Sequence, residues 1–364
     1  MLAPLRDRLC PRDPSSSPLL RITKEIYFTR LSRRVYPGTP EFEEARWITA
    51  EDVNIEHLLD VFTTIDGNSE SIWDACTNFM DQLYWHKPQL VILGPKIEAL
   101  PDDHPYKPQC LWDLARLFDK VGNFAERKRL LGHNLELWRW RGDDFAAAQT
   151  LKSLSDANRR MGLYGEGIRQ AEKASRIFEK FCDVVQRAQC LVTLAWLLCH
   201  CGQLNAAEEA GSCVIDLLPE KGEEFLVCQA HHALGEIYQK KGERKKAIHH
   251  LEVALGIASS LDRVDQLVWI NFSLADVFSK QGEFEDAQTY LEHAKSHAGD
   301  NTYVLAYVMY QQAWVWDRQR RFDEARSEAL RALNAFEMLG AVNNAEFIRK
   351  LLRRIDTRRA AQPS

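Results

Sequence analysis

A phosphate-binding loop needs Gly-x4-Gly-Lys-Ser/Thr, so that backbone amides and a lysine reach the same phosphates. No stretch of the 364 residues has that form. Gly162, Gly165 and Gly167 lie close together, but no strand pattern precedes them as a dinucleotide loop would require. His293 and His297 are four apart and share a helix face, a spacing zinc can use. They lack the intervening Glu of a His-Glu-x2-His site and a nearby third ligand. His231-His232 and His249-His250 are adjacent pairs, and consecutive helical residues point in different directions. Cys199-His200-Cys201 would need further ligands, and no Gly-x-Ser-x-Gly nucleophile elbow occurs. The sequence therefore predicts no catalytic residue, no cofactor site and no metal site.

The elements behind these residues belong to a folded, water-soluble chain: 45% of residues are apolar and 27% charged. Length alone suggests two or three domains. Forty-seven Lys and Arg face 52 Asp and Glu, a net charge of −5, which gives no nucleic-acid footprint. No apolar run approaches the ~18 residues of a membrane span. Arg6 and Arg8 interrupt the first ten residues, so no secretory signal is read there. Nine cysteines, an odd number without a Cys-x2-Cys pair, suit a reducing compartment. A cytoplasmic location follows as the expectation.

The fold is written in a repeat. Gly122, Gly162, Gly202, Gly242 and Gly282 recur every 40 residues, and Arg320 takes the glycine's place 38 residues later. Two positions after each marker stand Phe124, Tyr164, Leu204, Arg244, Phe284 and Phe322. Three further on come Arg127, Gly167, Ala207, Ala247, Ala287 and Ala325; seven before the marker come Ala115, Ser155, Ala195, Gly235, Ala275 and Ala313. Glycine ends a first helix by adopting the left-handed cap conformation, and small residues let a second helix pack closely against it. Ala247, Leu251 and Ala254, like Ala287, Leu291 and Ala294, fall on one helical face. The expectation is an all-α solenoid of about six antiparallel helical hairpins, wound into a right-handed superhelix.

Leu234-Gly235-x2-Tyr238, with Gly242, Ala247 and Ala254, resembles the tetratricopeptide (TPR) consensus, stretched from about 34 residues to the present period. It is similar to the long-helix arrays of signalling ATPases and kinesin light chains. The segments Ile48 to Phe62, Pro95 to Asp103, Asp216 to Gly222 and Ala247 to Ala258 resemble the C-terminal repeat region of fungal STAND (NACHT/NB-ARC-like) NTPases. That resemblance implies a repeat region and transfers no ATP hydrolysis, because the family's NTPase module has no counterpart in this sequence.

The expected organisation is a basic Pro/Ser/Arg-rich segment over 1–35, disordered, and a helical cap or degenerate repeats over 36–106. Six repeats follow over 107–342, then a capping helix over 343–356 and a tail over 357–364. Within the cap, Thr49 and Asp52 form a helix-start signature ahead of Ile55, Leu58, Leu59 and Phe62. Ile72, Trp73, Cys76, Phe79, Met80 and Leu83 suggest a second helix; Leu90 to Gly94 reads as a strand or a buried turn. Both chain ends are basic, +5 through Arg34 and +5 from Ile348, leaving −15 for the centre. Such ends are usually solvated, and nucleic-acid binding by them is the lesser reading.

In TPR arrays the first helices line the concave face. Carried over unit by unit, the partner-binding positions are Trp112, Arg116 and Asp119; Asp156, Arg159 and Arg160; and Trp196 and His200. The later units add His232, Glu236, Gln239 and Lys240; Phe272, Asp276 and Lys280; and Tyr310, Trp314 and Asp317. Trp, Tyr and Arg commonly carry binding energy, although Trp196, Phe272 and Trp314 suit inter-repeat core equally well. Three functions compete. The first is a non-catalytic scaffold binding a peptide or partner protein, and the second is a regulatory or sensor arm of a STAND-type switch. The third, an enzyme or small-molecule sensor, ranks last.

Overall fold

The computed structural model describes residues 55–56, 59–60, 63, 70–86, 93–120, 122–218, 222–299, 302–338 and 342–361. The expectations for 1–35 and for the Thr49 helix start fall outside these residues. Among those described there are 15 α-helices and no strand. The chain separates into two compact units, residues 1–121 with 125–141, and residues 122–124 with 142–364.

The first unit contains α1 (Glu70–His86), α2 (Leu93–Ala99), α3 (Lys107–Lys120) and most of α4 (Phe124–Arg141). Its core is Ile55, Leu59, Ile72, Trp73, Phe79, Met80, Ile97, Cys110 and Leu111. Leu93 and Gly94, expected in a strand or turn, begin a helix. Helix formation there follows from Glu56, whose Oε1 accepts from the Leu93 amide at 2.8 Å and satisfies a donor of the first turn. Asp60 holds Lys96 of the same helix at 2.7 Å.

The second unit is a run of helices of nearly equal length. They are α5 (Asp144–Arg160), α6 (Tyr164–Lys180), α7 (Val184–His200), α8 (Leu204–Leu217), α9 (Glu224–Lys241), α10 (Arg244–Ser260), α11 (Val264–Lys280), α12 (Phe284–Ala298), α13 (Thr302–Arg318), α14 (Phe322–Met338) and α15 (Val342–Ala360). Each packs on the next, and the first helices of successive hairpins also touch: α5 on α7, α7 on α9, α9 on α11, α11 on α13, and α13 on α15.

The 40-residue glycines do what their spacing predicts. Gly162, Gly202, Gly242 and Gly282 have φ of 75°, 77°, 79° and 83°, and Arg320 is left-handed at 62°. At each stop two amides fold back, as where Gly162 donates to Arg159 O at 3.1 Å and Leu163 to Asn158 O at 2.8 Å. These are the bonds of a Schellman cap. The same turn recurs halfway between the markers, where Cys182 and Asp262 occupy the left-handed region at 54° and 52°. Glycine stands at the alternate halfway positions, Gly142 and Gly222, both at positive φ, so the halfway marker is a single letter only every second unit.

The second helices carry a stripe of small residues. Gly167, Ala171, Ala174 and Phe178 are buried on α6; Ala247, Leu251, Ala254 and Ala258 on α10; Ala287, Leu291, Ala294 and Ala298 on α12; and Ala325, Ala329, Ala332 and Phe336 on α14. Offsets of four, seven and eleven place each set on one helical face. The Gly162 to Gly167 cluster is thus a turn plus a packing glycine: a Cβ on Gly167 would come 2.8 Å from Leu197. The last helix reaches Ala360 rather than ending near 356. Arg358 and Arg359 extend it by pairing with Asp317 and Asp323 at 2.6 and 2.7 Å.

Candidate partner-binding surface

The inner layer of the second unit is built from first helices, and its side chains connect one helix to the next. On α5, Asp156 pairs with Arg159 at 2.8 Å and approaches Arg160 at 4.0 Å. Arg159 stacks over the Trp196 ring of α7 at 5.2 Å. Trp196 meets His232 of α9 edge-on at 5.9 Å, and His232 Nε2 lies 2.8 Å from Ser273 Oγ on α11. Ser273 also donates to Glu236 at 3.1 Å, while Gln239 donates to Asp276 at 2.8 Å. Asp276 takes Lys280 at 2.7 Å and Arg318 of α13 at 2.8 Å. Trp314 lies beneath two guanidiniums, Arg318 at 5.4 Å and Arg354 of α15 at 4.4 Å. Tyr310 stands 6.5 Å from Trp314, nearly perpendicular to it.

Electrostatics follow this geometry. Burial pushes the Asp276 carboxyl upward, but Arg318, Lys280 and the Gln239 hydrogen bond outweigh it and hold it below the ordinary carboxylate value. Burial raises the Tyr307 hydroxyl on α13, and the charges of Arg160 and Arg159 act against that rise.

The expected partner-binding residues take different places. Trp112, Arg116 and Asp119 belong to α3 of the first unit, where Arg116 is 3.6 Å from Asp113 and Asp119 pairs with Arg127 at 2.7 Å. Asp156, Arg159, Arg160, Trp196, Glu236, Gln239, Asp276, Tyr310 and Trp314 are half-buried on the inner layer. His200, Lys240 and Lys280 are exposed. His200 stacks on Tyr164 at 5.2 Å, and Lys240 donates to Cys199 O at 3.0 Å. His232, Phe272 and Asp317 are only 5%, 3% and 0% exposed. His232 and Asp317 depart from the exposed placing expected of them, and Phe272 takes the inter-repeat core place that the sequence left open for it.

Arg318, Ser273, Arg354 and Arg358 join the surface without having been read from sequence. Their signal was present in the period. His232 and Ser273, Gln239 and Asp276, Ser279 and Arg318, and Asp317 and Arg358 are separated by 41, 37, 39 and 41 residues. Scanning for complementary polar pairs about one repeat apart would have found them.

His293 and His297 sit on α12 without a third ligand, and no group of three His, Cys, Asp or Glu suited to a metal occurs among the described residues. The described cysteines are free thiols. Burial pushes the Cys76 and Cys190 thiols up to about 12.

A family model described as tetratricopeptide repeat matches residues 226–298, which span α9 to α12. The fold is a TPR-like α-solenoid. A Rap protein crystallised in complex with Competence and Sporulation Factor is similar over 93% of this chain and 100% of its own, with TM-score 0.59 and 16% identity. The apo form of the quorum sensor NprR from B. thuringiensis covers 92% of this chain and 99% of its own, with TM-score 0.55 and 13% identity. Aspartyl phosphate phosphatase F from Bacillus subtilis covers 91% and 94%, with TM-score 0.52 and 10% identity. At such identities the likeness is one of fold. No curated protein sequence matches this chain.

Proposed function

We propose that this TPR-like solenoid is a non-catalytic scaffold that holds a peptide or partner protein on the inner layer of its second unit. The observation that carries this reading is the pair of arginine–tryptophan stacks, Arg159 on Trp196 and Arg318 with Arg354 on Trp314. Each arginine is also fixed by a carboxylate of the wall: Asp156, Asp276 and Asp317. Side chains held in this way lose little conformational freedom on binding, and Arg and Trp are the residue types that most often dominate interface energy. A solenoid whose neighbours supply its core leaves such a surface available for recognition. The Rap protein of the same fold, captured with Competence and Sporulation Factor, is in keeping with this role.

A cytoplasmic location fits the free thiols and the lack, among the described residues, of a helix long and apolar enough to cross a membrane. Partner capture from lysate followed by titration tests the reading. Arg159→Glu, Arg160→Glu and Lys240→Glu together should weaken binding by about 30-fold or more, the scale of a lost hot spot near 2 kcal/mol. Far-UV circular dichroism should remain that of the parent. Undiminished affinity in the triple variant would place the interface elsewhere.

A second reading, favoured by the resemblance over Ala247 to Ala258, makes the chain a regulatory or sensor arm of a STAND-type switch. Its partner would be an NTPase polypeptide, so recovery of a nucleotide-binding protein in the same capture separates the two.

A further inference from the structure

His231 on α9 and His250 on α10 face each other across one hairpin, their Nδ1 atoms 2.9 Å apart and their rings 5.0 Å apart at 35°. Two nitrogens at that distance share one proton. One imidazole donates and the other accepts; once both rings are protonated, each Nδ1 carries a hydrogen, and donor meets donor between two cations. Neighbours fix the pair. Tyr238 stacks on His250 at 5.2 Å and 14°, and its hydroxyl donates to Glu208 Oε1 at 2.7 Å. The His249 ring lies 5.4 Å from that of His250.

The adjoining residue of α9 works in other directions. His232 binds Ser273 of α11 and abuts Trp196 of α7. Two consecutive uncharged imidazoles therefore join the central helix α9 to three others.

We infer that His231, His232 and His250 form an acid-sensitive latch whose protonation, as pH falls from neutral toward 5, separates α9 from its neighbours and loosens the centre of the solenoid.

The surrounding charges set the direction. Burial first, then His250 and His249, lower His231 to about 4. Burial also lowers His250, with His249 and Lys246 adding to the fall and Glu208 of α8 opposing it. Burial lowers His232, helped by Arg159 of α5 and resisted by Glu236, whose Oε1 is 3.5 Å away. In the unfolded chain each histidine titrates near about 6.5. Below that pH the unfolded state binds protons that the folded state refuses, so the stability is complete above ~6.5 and drains as pH falls toward 4. Glu208, Asp265 and Asp276 are held below their ordinary values and contribute acid loss only below about 4.5. The interval from 6.5 to 4.5 thus belongs to the imidazoles.

The latch does not depend on what occupies the inner layer. Its test follows the melting temperature and near-UV circular dichroism of the whole chain between pH 7.5 and 5, beside His231→Gln/His250→Gln and His232→Gln variants. The parent should lose about 5 °C or more, with altered tryptophan signals and retained far-UV helicity. The double variant should lose at most half as much. If the variants fold poorly, proton NMR titration of the parent's histidines decides, with at least two resonances expected to titrate well below 6 or together with the structural change. A flat melting temperature from pH 7 to 5 would overturn the latch. So would histidines all titrating between 6 and 7 without a change in packing, or an unaltered pH profile in the double variant.

Discussion

Asp317→Ala should destabilise the solenoid by about 2–3 kcal/mol and release its last helix. Breaking a buried ion pair costs about 3–5 kcal/mol when the remaining charge is stranded. Asp317 is fully enclosed, while Arg354 and Arg358 are 46% and 35% exposed and can recover water, which reduces the cost. Asp317 Oδ2 accepts from Arg354 at 3.2 Å and Arg358 at 2.6 Å, and its backbone carbonyl accepts from Arg358 at 3.1 Å. These contacts, with Arg354 over Trp314, join α15 to α13 across the end of the array. A residue expected on the binding face therefore holds the terminal cap. The melting temperature should fall by about 5–10 °C, and limited proteolysis should cut first within 342–360. Asp317→Asn, which keeps the shape and loses the charge, should give an intermediate loss. An alanine variant melting with the parent and resisting protease would dismiss this role.

Gly235→Val should be at least as damaging, by about 2–3 kcal/mol. A Cβ on Gly235 would lie 2.5 Å from Leu251 Cγ and 3.3 Å from the Ala247 carbonyl oxygen. Leu251 is fully buried in a cluster with Ala247, Ala254 and Ile237, so no side chain can swing away. Overpacking of such a site costs about 1–3 kcal/mol, and a β-branched residue relieves none of it. Gly256, on α10 of the same hairpin, provides the comparison: a Cβ there meets nothing within 4 Å. Gly256→Ala should stabilise by about 0.5–1 kcal/mol through helix propensity alone. Gly235→Ala should destabilise despite the same propensity gain. Urea titrations of the three variants measure the contrast, and a stabilising Gly235→Ala would refute the close approach of α9 and α10.

Most of the fold was legible because stacked hairpins impose one geometry at one period. The helix stops at Gly162, Gly202, Gly242 and Gly282 require a left-handed residue, which few side chains accept, so they are written in a single letter. The small-residue faces were legible for the same reason: close helix packing excludes bulk. The halfway turns were only half legible: Gly142 and Gly222 mark two of them, while Cys182 and Asp262 accept the left-handed conformation under tertiary constraint. Helix α2 was hidden too, since its first turn depends on Glu56, 37 residues earlier.

The proposed binding surface divides in the same way. The resemblance to TPR arrays placed Arg159, Trp196 and Trp314 on the first helices, because units of one geometry put matching positions on matching faces. It left open how deeply the next unit covers that face, since Trp196, Phe272 and Trp314 suited core and surface equally well. Burial of His232, Phe272 and Asp317, and the recruitment of Arg318 and Arg354 over Trp314, arise from contacts between residues about 40 apart. Local spacing thus determined the hairpins and their order on its own. The choice of which inner side chains stay accessible, and which become rungs between units, was made only when successive helices stacked, because burial depends on the neighbour across the gap as well as on the helix that carries the residue.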